Sequence, residues 1–69
     1  MKISARNSLK GTVISISEGS VNNEVTIEVA PNVVITSIVT KTACDALGLK
    51  VGVEAYAVVK ASSVMVAVD

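Results

Sequence analysis

Three short segments hold the side chains able to do chemistry. Ser4-Ala5-Arg6-Asn7 places the only arginine of the chain among small polar residues. Lys60-Ala61-Ser62-Ser63 sets a lysine ahead of two hydroxyls. Thr36-Ser37 and Thr40-Lys41-Thr42 add further hydroxyls and another lysine. All of these groups donate hydrogen bonds, and none is a carboxylate. Such a set suits an anion that has no proton of its own. Molybdate, tungstate and sulfate are acceptor-only at neutral pH. Phosphate keeps a proton part of the time and needs an acceptor in return. By residue type alone the default is plainer: Arg6 and Lys60 as solvated charges, the Ser and Thr residues in turns and caps. Cys44 reads as a small buried hydrophobe. Asp45, near the first turn of a short helix, reads as a partner for its dipole.

Composition removes most other chemistry. The chain has 69 residues and no histidine, and Cys44 is its only cysteine. An intrachain disulfide, a zinc site, and Ser-His-Asp or Cys-His catalysis are excluded within one chain. No convergent acid, base and nucleophile set is visible, so no enzyme is expected. Six basic and six acidic residues cancel, and Tyr56 is the only aromatic. Neither a basic field nor a stacking surface for nucleic acid is present. Half the residues (51%) are apolar and mean hydropathy is +0.64, yet no run approaches the ~20 residues of a membrane span. Met1 to Arg6 lacks the apolar stretch of a signal peptide, so a reducing, cytoplasmic setting is expected.

The elements that must position these groups are strands. Val occurs 14 times, Ile six and Thr five, against three Leu. β-branched residues are stiff at χ1 and fit a pleated sheet. Five strands are expected: Leu9 to Ser17, Val21 to Ala30, Val33 to Thr40, Glu54 to Lys60 and Val64 to Val68. In the first, Ile14 and Ile16 share one face and Val13 takes the other. In the second, Val21, Val25, Ile27 and Val29 alternate with Asn22, Glu24, Thr26 and Glu28, and Asn23 breaks the apolar set. Pro31-Asn32 closes that strand. Thr40 or Thr42 caps a short helix that Gly48 stops. Glu18-Gly19-Ser20-Val21-Asn22 reads as a hairpin turn, able to present N–H groups to an anion where copies meet on a symmetry axis. The expected fold is all-β: a small five-stranded OB-like Greek-key barrel with one short helix, a single domain over residues 1–69. The last three strands are apolar on both faces, more than a small barrel needs. A chain this short is also marginal alone, so an oligomer is expected.

The opening Met1-Lys2-Ile3-Ser4-Ala5-Arg6-Asn7-Ser8-Leu9-Lys10-Gly11 resembles that of the molbindins, the small molybdenum-pterin-binding (Mop) proteins. Ile35-Thr36-Ser37-Ile38, Leu47-Gly48-Leu49 with Gly52, and Ala57-Val58-Val59-Lys60-Ala61-Ser62-Ser63-Val64-Met65 are similar to the same family. The resemblance implies an OB-like domain assembled as a hexamer, a trimer of dimers. It implies molybdate or tungstate bound at subunit interfaces, with no required cofactor, for storage or homeostasis of the oxyanion. Ser4, Ala5 (by its backbone) and Arg6 would hold the anion from one subunit. Thr40, Lys60, Ala61 (by its backbone) and Ser62 would complete the site, some of them from a neighbour. A threefold-axis site would lie near Gly19, Ser20 and Val21. Ala43 and Ala61 stand where some relatives have a hydroxyl. The alternative is a carrier of a molybdenum-pterin cofactor, for which Tyr56 is the only stacking ring available.

Overall fold

Four of the β-branched runs form strands in the computed structural model, which describes residues Met1–Asp69. Strand β1 spans Asn7–Glu18, β2 Asn22–Ala30, β3 Val33–Thr40 and β4 Glu54–Val59. A helix, α1 (Lys41–Ala46), follows β3, and a 3₁₀ turn, Ala61–Ser63, follows β4. The strands make one antiparallel sheet in the order β3-β2-β1-β4. β1 is its hub. The first half pairs with β4, from Asn7 opposite Val59 to Thr12 opposite Glu54. The second half pairs with β2, from Thr12 opposite Glu28 to Glu18 opposite Asn23.

Two residues let β1 serve both neighbours. Gly11 passes so close to β2 that a Cβ there would collide with the carbonyl oxygen of Glu28 and come within 2.8 Å of Ile27 Cγ2. Ile14 is the extra residue of a β-bulge, because Val13 pairs with Ile27 while Ser15 pairs with Thr26. The bulge resets the alternation. Val13 is fully buried and Ile16 packs against the core, while Ile14 points to solvent. The expected sharing of one face by Ile14 and Ile16 is thereby corrected.

In β2 the expected alternation appears from Asn23 onward. Val25 and Ile27 are buried and Val29 packs against them. Val21 precedes the strand and is exposed. Asn23 takes an inward position, and its side-chain oxygen is buried without a hydrogen-bond partner. Pro31 and Asn32 make the turn to β3, Asn32 taking the left-handed φ of 61° that this residue type tolerates.

Thr40 caps α1, its Oγ1 accepting from the Ala43 N–H at 3.0 Å. At the other end Gly48 is left-handed (φ 65°). There the Gly48 N–H donates to Asp45 O and the Leu49 N–H to Cys44 O, the paired bonds of a Schellman stop. Asp45 lies past the first turn of α1, so the expected dipole role at the positive end does not arise. Cys44 is buried with Val13, Val25, Ile27 and Ala57, and these five side chains are the apolar core.

The expected fifth strand does not form within the chain. Residues 64–69 pair with nothing and are exposed throughout. A strand needs a partner edge, and the chain leaves this segment standing clear after the 3₁₀ turn. The sheet is therefore a curled, four-stranded one, open between β3 and β4, which are not hydrogen-bonded to each other. No helix is long and apolar enough to cross a membrane.

Candidate oxyanion site

The register of β1 against β4 builds the site. Their ladder ends at Asn7 opposite Val59. The next position outward on each strand is a cation, Arg6 on one and Lys60 on the other. Sequence separates them by most of the chain, and the antiparallel pairing puts them at one sheet end. They border a cleft of about 660 Å³ lined by Ser4, Ala5, Arg6, Val58, Lys60, Ala61 and Ser62. A water takes about 30 Å³ of liquid, so the space exceeds what one small anion fills. One chain supplies a wall of the site rather than an enclosed pocket.

The chemistry of that wall is one-sided. It offers a guanidinium, an ammonium and two hydroxyls, and no carboxylate lines it. The molecule's one salt bridge joins Lys10 to Glu54 at 3.4 Å, both side chains being well exposed. Arg6 and Lys60 are thus free of acidic partners. Two neighbouring cations without a counter-charge are relieved by an anion between them. In the 3₁₀ turn the Ser63 N–H donates to Lys60 O at 2.8 Å and the Val64 N–H to Ala61 O at 3.3 Å. None of the turn and cap hydrogen bonds uses the amides of Ala61 or Ser62. No cluster of His, Cys, Asp or Glu able to hold a metal cation occurs anywhere in the chain.

Six of the residues singled out from sequence (Ser4, Ala5, Arg6, Lys60, Ala61 and Ser62) meet at this cleft. Thr40 does not line it. It sits opposite Asn22, near the far end of β1, and caps α1. The 12 residues of β1, at about 3.3 Å each, separate the two sheet ends by a strand path close to the molecule's longest dimension of 36 Å. Thr40 is thus placed at the other sheet end and is not part of the cleft of its own chain. Gly19, Ser20 and Val21 share Thr40's end. The Gly19 N–H donates to Asn22 O at 2.9 Å, closing the hairpin, and the Lys41 N–H donates to Val21 O at 3.0 Å. Thr36 and Ser37 lie in mid-β3, at neither end. Val58 lines the cleft and was not anticipated there. Its signal was the outward apolar position on β4, two residues before Lys60.

Comparison with known proteins gives a consistent picture. The TOBE domain model matches residues 3–66. A probable molybdenum-pterin-binding protein of Haemophilus influenzae is 55% identical over 69 residues, the whole of both chains. Among solved structures, MopII of Clostridium pasteurianum superposes with a TM-score of 0.91 at 45% identity, covering 97% of this chain and 100% of that one. The cytoplasmic molybdate-binding protein ModG, solved with molybdate bound, gives a TM-score of 0.83 at 52% identity, covering 88% of this chain and 43% of ModG.

Proposed function

The chain belongs to the TOBE domain family and, within it, to the molybdenum-pterin-binding (Mop) proteins; from that premise we propose that it binds molybdate or tungstate between copies of itself. In this reading residues 1–69 act as one domain of a cytoplasmic homo-hexamer, a trimer of dimers. It stores or buffers the oxyanion and catalyses nothing. Ser4, Arg6, Lys60 and Ser62 bind through side chains, and Ala5 and Ala61 through backbone N–H groups. Thr40 comes from a neighbouring copy, since its own chain keeps it at the opposite sheet end. A second site, built from Gly19, Ser20 and Val21, lies where three hairpins converge.

One observation carries the reading: Arg6 and Lys60 converge with hydroxyls at a cleft that contains no acidic side chain. A dianion without protons finds only donors there. An anion that must also donate finds no side-chain carboxylate. The pterin-carrier alternative lacks this support, because Tyr56 does not line the cationic cleft.

Calorimetric titration at neutral pH tests the proposal. Molybdate and tungstate are expected to bind at micromolar or tighter affinity, with phosphate much weaker. Charge-assisted hydrogen bonds contribute about 1.5–3 kcal/mol each. Arg6→Ala and Lys60→Ala should therefore each weaken binding by about one to two orders of magnitude while leaving the fold intact. Equal affinity for phosphate, or unchanged titrations in both variants, would reject this site.

A further inference from the structure

We propose that Val58 sets the selectivity of the cationic cleft among dianions, keeping out sulfate in favour of the larger molybdate and tungstate. This deepens the proposed function and rests on it.

The donor set leaves one discrimination unmade. A cleft with no side-chain acceptor turns away phosphate, which keeps a proton part of the time. Sulfate keeps none at neutral pH, and it has the charge and the tetrahedral shape of molybdate. The side chains of Ser4, Arg6, Lys60 and Ser62 donate to either anion alike. What differs is size. Bonds from molybdenum or tungsten to oxygen are longer than those from sulfur, so the same charge is spread over a larger surface. The cost of taking an ion out of water rises as its radius falls, and sulfate therefore loses more hydration on entering a site. A wall that returns no hydrogen bond leaves that loss uncompensated.

Val58 is a wall of that kind. Four residues of the cleft carry side-chain donors, and Ala5 and Ala61 have almost no side chain. The Ala61 N–H is used in no turn or cap hydrogen bond. Val58 alone presents a branched apolar side chain, and its backbone belongs to the ladder opposite Ser8. It can act on an anion only through shape and the exclusion of water. Alternation along β4 puts it on the same face as Lys60, two residues on. Ser8, its partner across the ladder, does not line the cleft, so no hydroxyl from β1 relieves the wall. Valine is stiff at χ1 in a strand, which holds the wall in place. At 42% exposed, Val58 has surface left for an anion to touch.

Calorimetric titrations of the full chain with sodium molybdate and with sodium sulfate, at neutral pH and one ionic strength, give the ratio of the two affinities. Val58→Thr keeps the shape and exchanges a methyl for a hydroxyl. The ratio of molybdate to sulfate affinity is expected to fall about tenfold or more, chiefly through tighter sulfate binding, with molybdate changed by less than about threefold. Val58→Ala opens the wall to water and is expected to lower the ratio as well. Val58→Ile keeps the wall apolar and is expected to hold the ratio at the native value or above.

Val58 also borders the groove between β3 and β4, so the mass of each variant is compared with the native one by light scattering. Where the Thr variant loses its native mass, the contrast between Ala and Ile carries the test. A ratio unchanged in the Thr and Ala variants overturns the role of Val58, and so does a ratio lowered as far by Ile as by Ala. A native chain that binds sulfate as tightly as molybdate, or more tightly, overturns it too and leaves the oxyanion site standing. A native chain that binds neither anion rejects the proposed function, and the role of Val58 with it.

Discussion

At the scale of single residues, Thr40 has one job in the fold and a second, separable one in the proposed site. Its hydroxyl oxygen accepts the Ala43 N–H at the start of α1, while the hydroxyl proton remains available to an anion on a neighbouring copy. Thr40→Ala removes both and should cost about 1 kcal/mol of stability through the lost cap. Thr40→Asp keeps a capping oxygen but places a carboxylate where the anion of the adjoining subunit is proposed to sit. The expected outcome is near-normal thermal stability with molybdate binding lost by titration. Normal binding by the Asp variant would remove Thr40 from the site. The residue types at the cleft were legible in the sequence, because a run of donors without acids needs no structure to recognise. That Ser4 to Arg6 would meet Lys60 to Ser62, and that Thr40 would not join them, depends on the β1–β4 register. No residue type encodes that register locally.

At the scale of elements, β1 determines whether the sheet curls. Its crossing from β4 to β2 depends on Gly11, where any side chain meets the Glu28 carbonyl and Ile27. Gly11→Ala forces β1 and β2 apart and should destabilise the fold by about 1–3 kcal/mol, the cost of overpacking a close contact. Urea unfolding measures it, and an unchanged midpoint would show that the two strands part freely. The elements themselves were largely legible. The alternation of β2 from Val25 to Val29, the Pro31-Asn32 turn, the Thr40 cap and the Gly48 stop all follow from local chemistry. The face assignment in β1 failed because a bulge leaves no compositional mark: Ile14 is as β-prone as Val13 and Ile16. The segment from Val64 to Val68 has strand composition yet no strand in this chain. Composition reports a preference for extended backbone, while strand formation requires pairing with an edge, and residues 64–69 pair with none in this chain.

At the scale of the whole molecule, the chain is open for its length. Only 6 of 69 residues are buried, and Ile38, Leu47 and Val51 stay more than 60% exposed. The radius of gyration is 12.7 Å, against about 11 Å for a compact domain of this length. So small a core leaves little net stability once chain entropy is counted. Assembly would add burial, and an interfacial dianion would neutralise the Arg6 and Lys60 charges gathered there. Folding, assembly and anion binding should then be linked equilibria. The expected result is an unfolding midpoint that rises with protein concentration and rises again with molybdate. Ligand at a hundred times Kd contributes about 2.7 kcal/mol per site. For a domain of this size each kcal/mol moves Tm by roughly 4–8 °C. Differential scanning calorimetry over a hundredfold range of protein concentration, with and without molybdate, reads both effects. A midpoint independent of concentration would mean that the 69-residue chain holds its fold alone. A concentration-dependent midpoint that ignores molybdate would mean that the copies assemble but the cleft is not where they meet the anion. Only a rise on both axes places the anion in the interface that completes the fold.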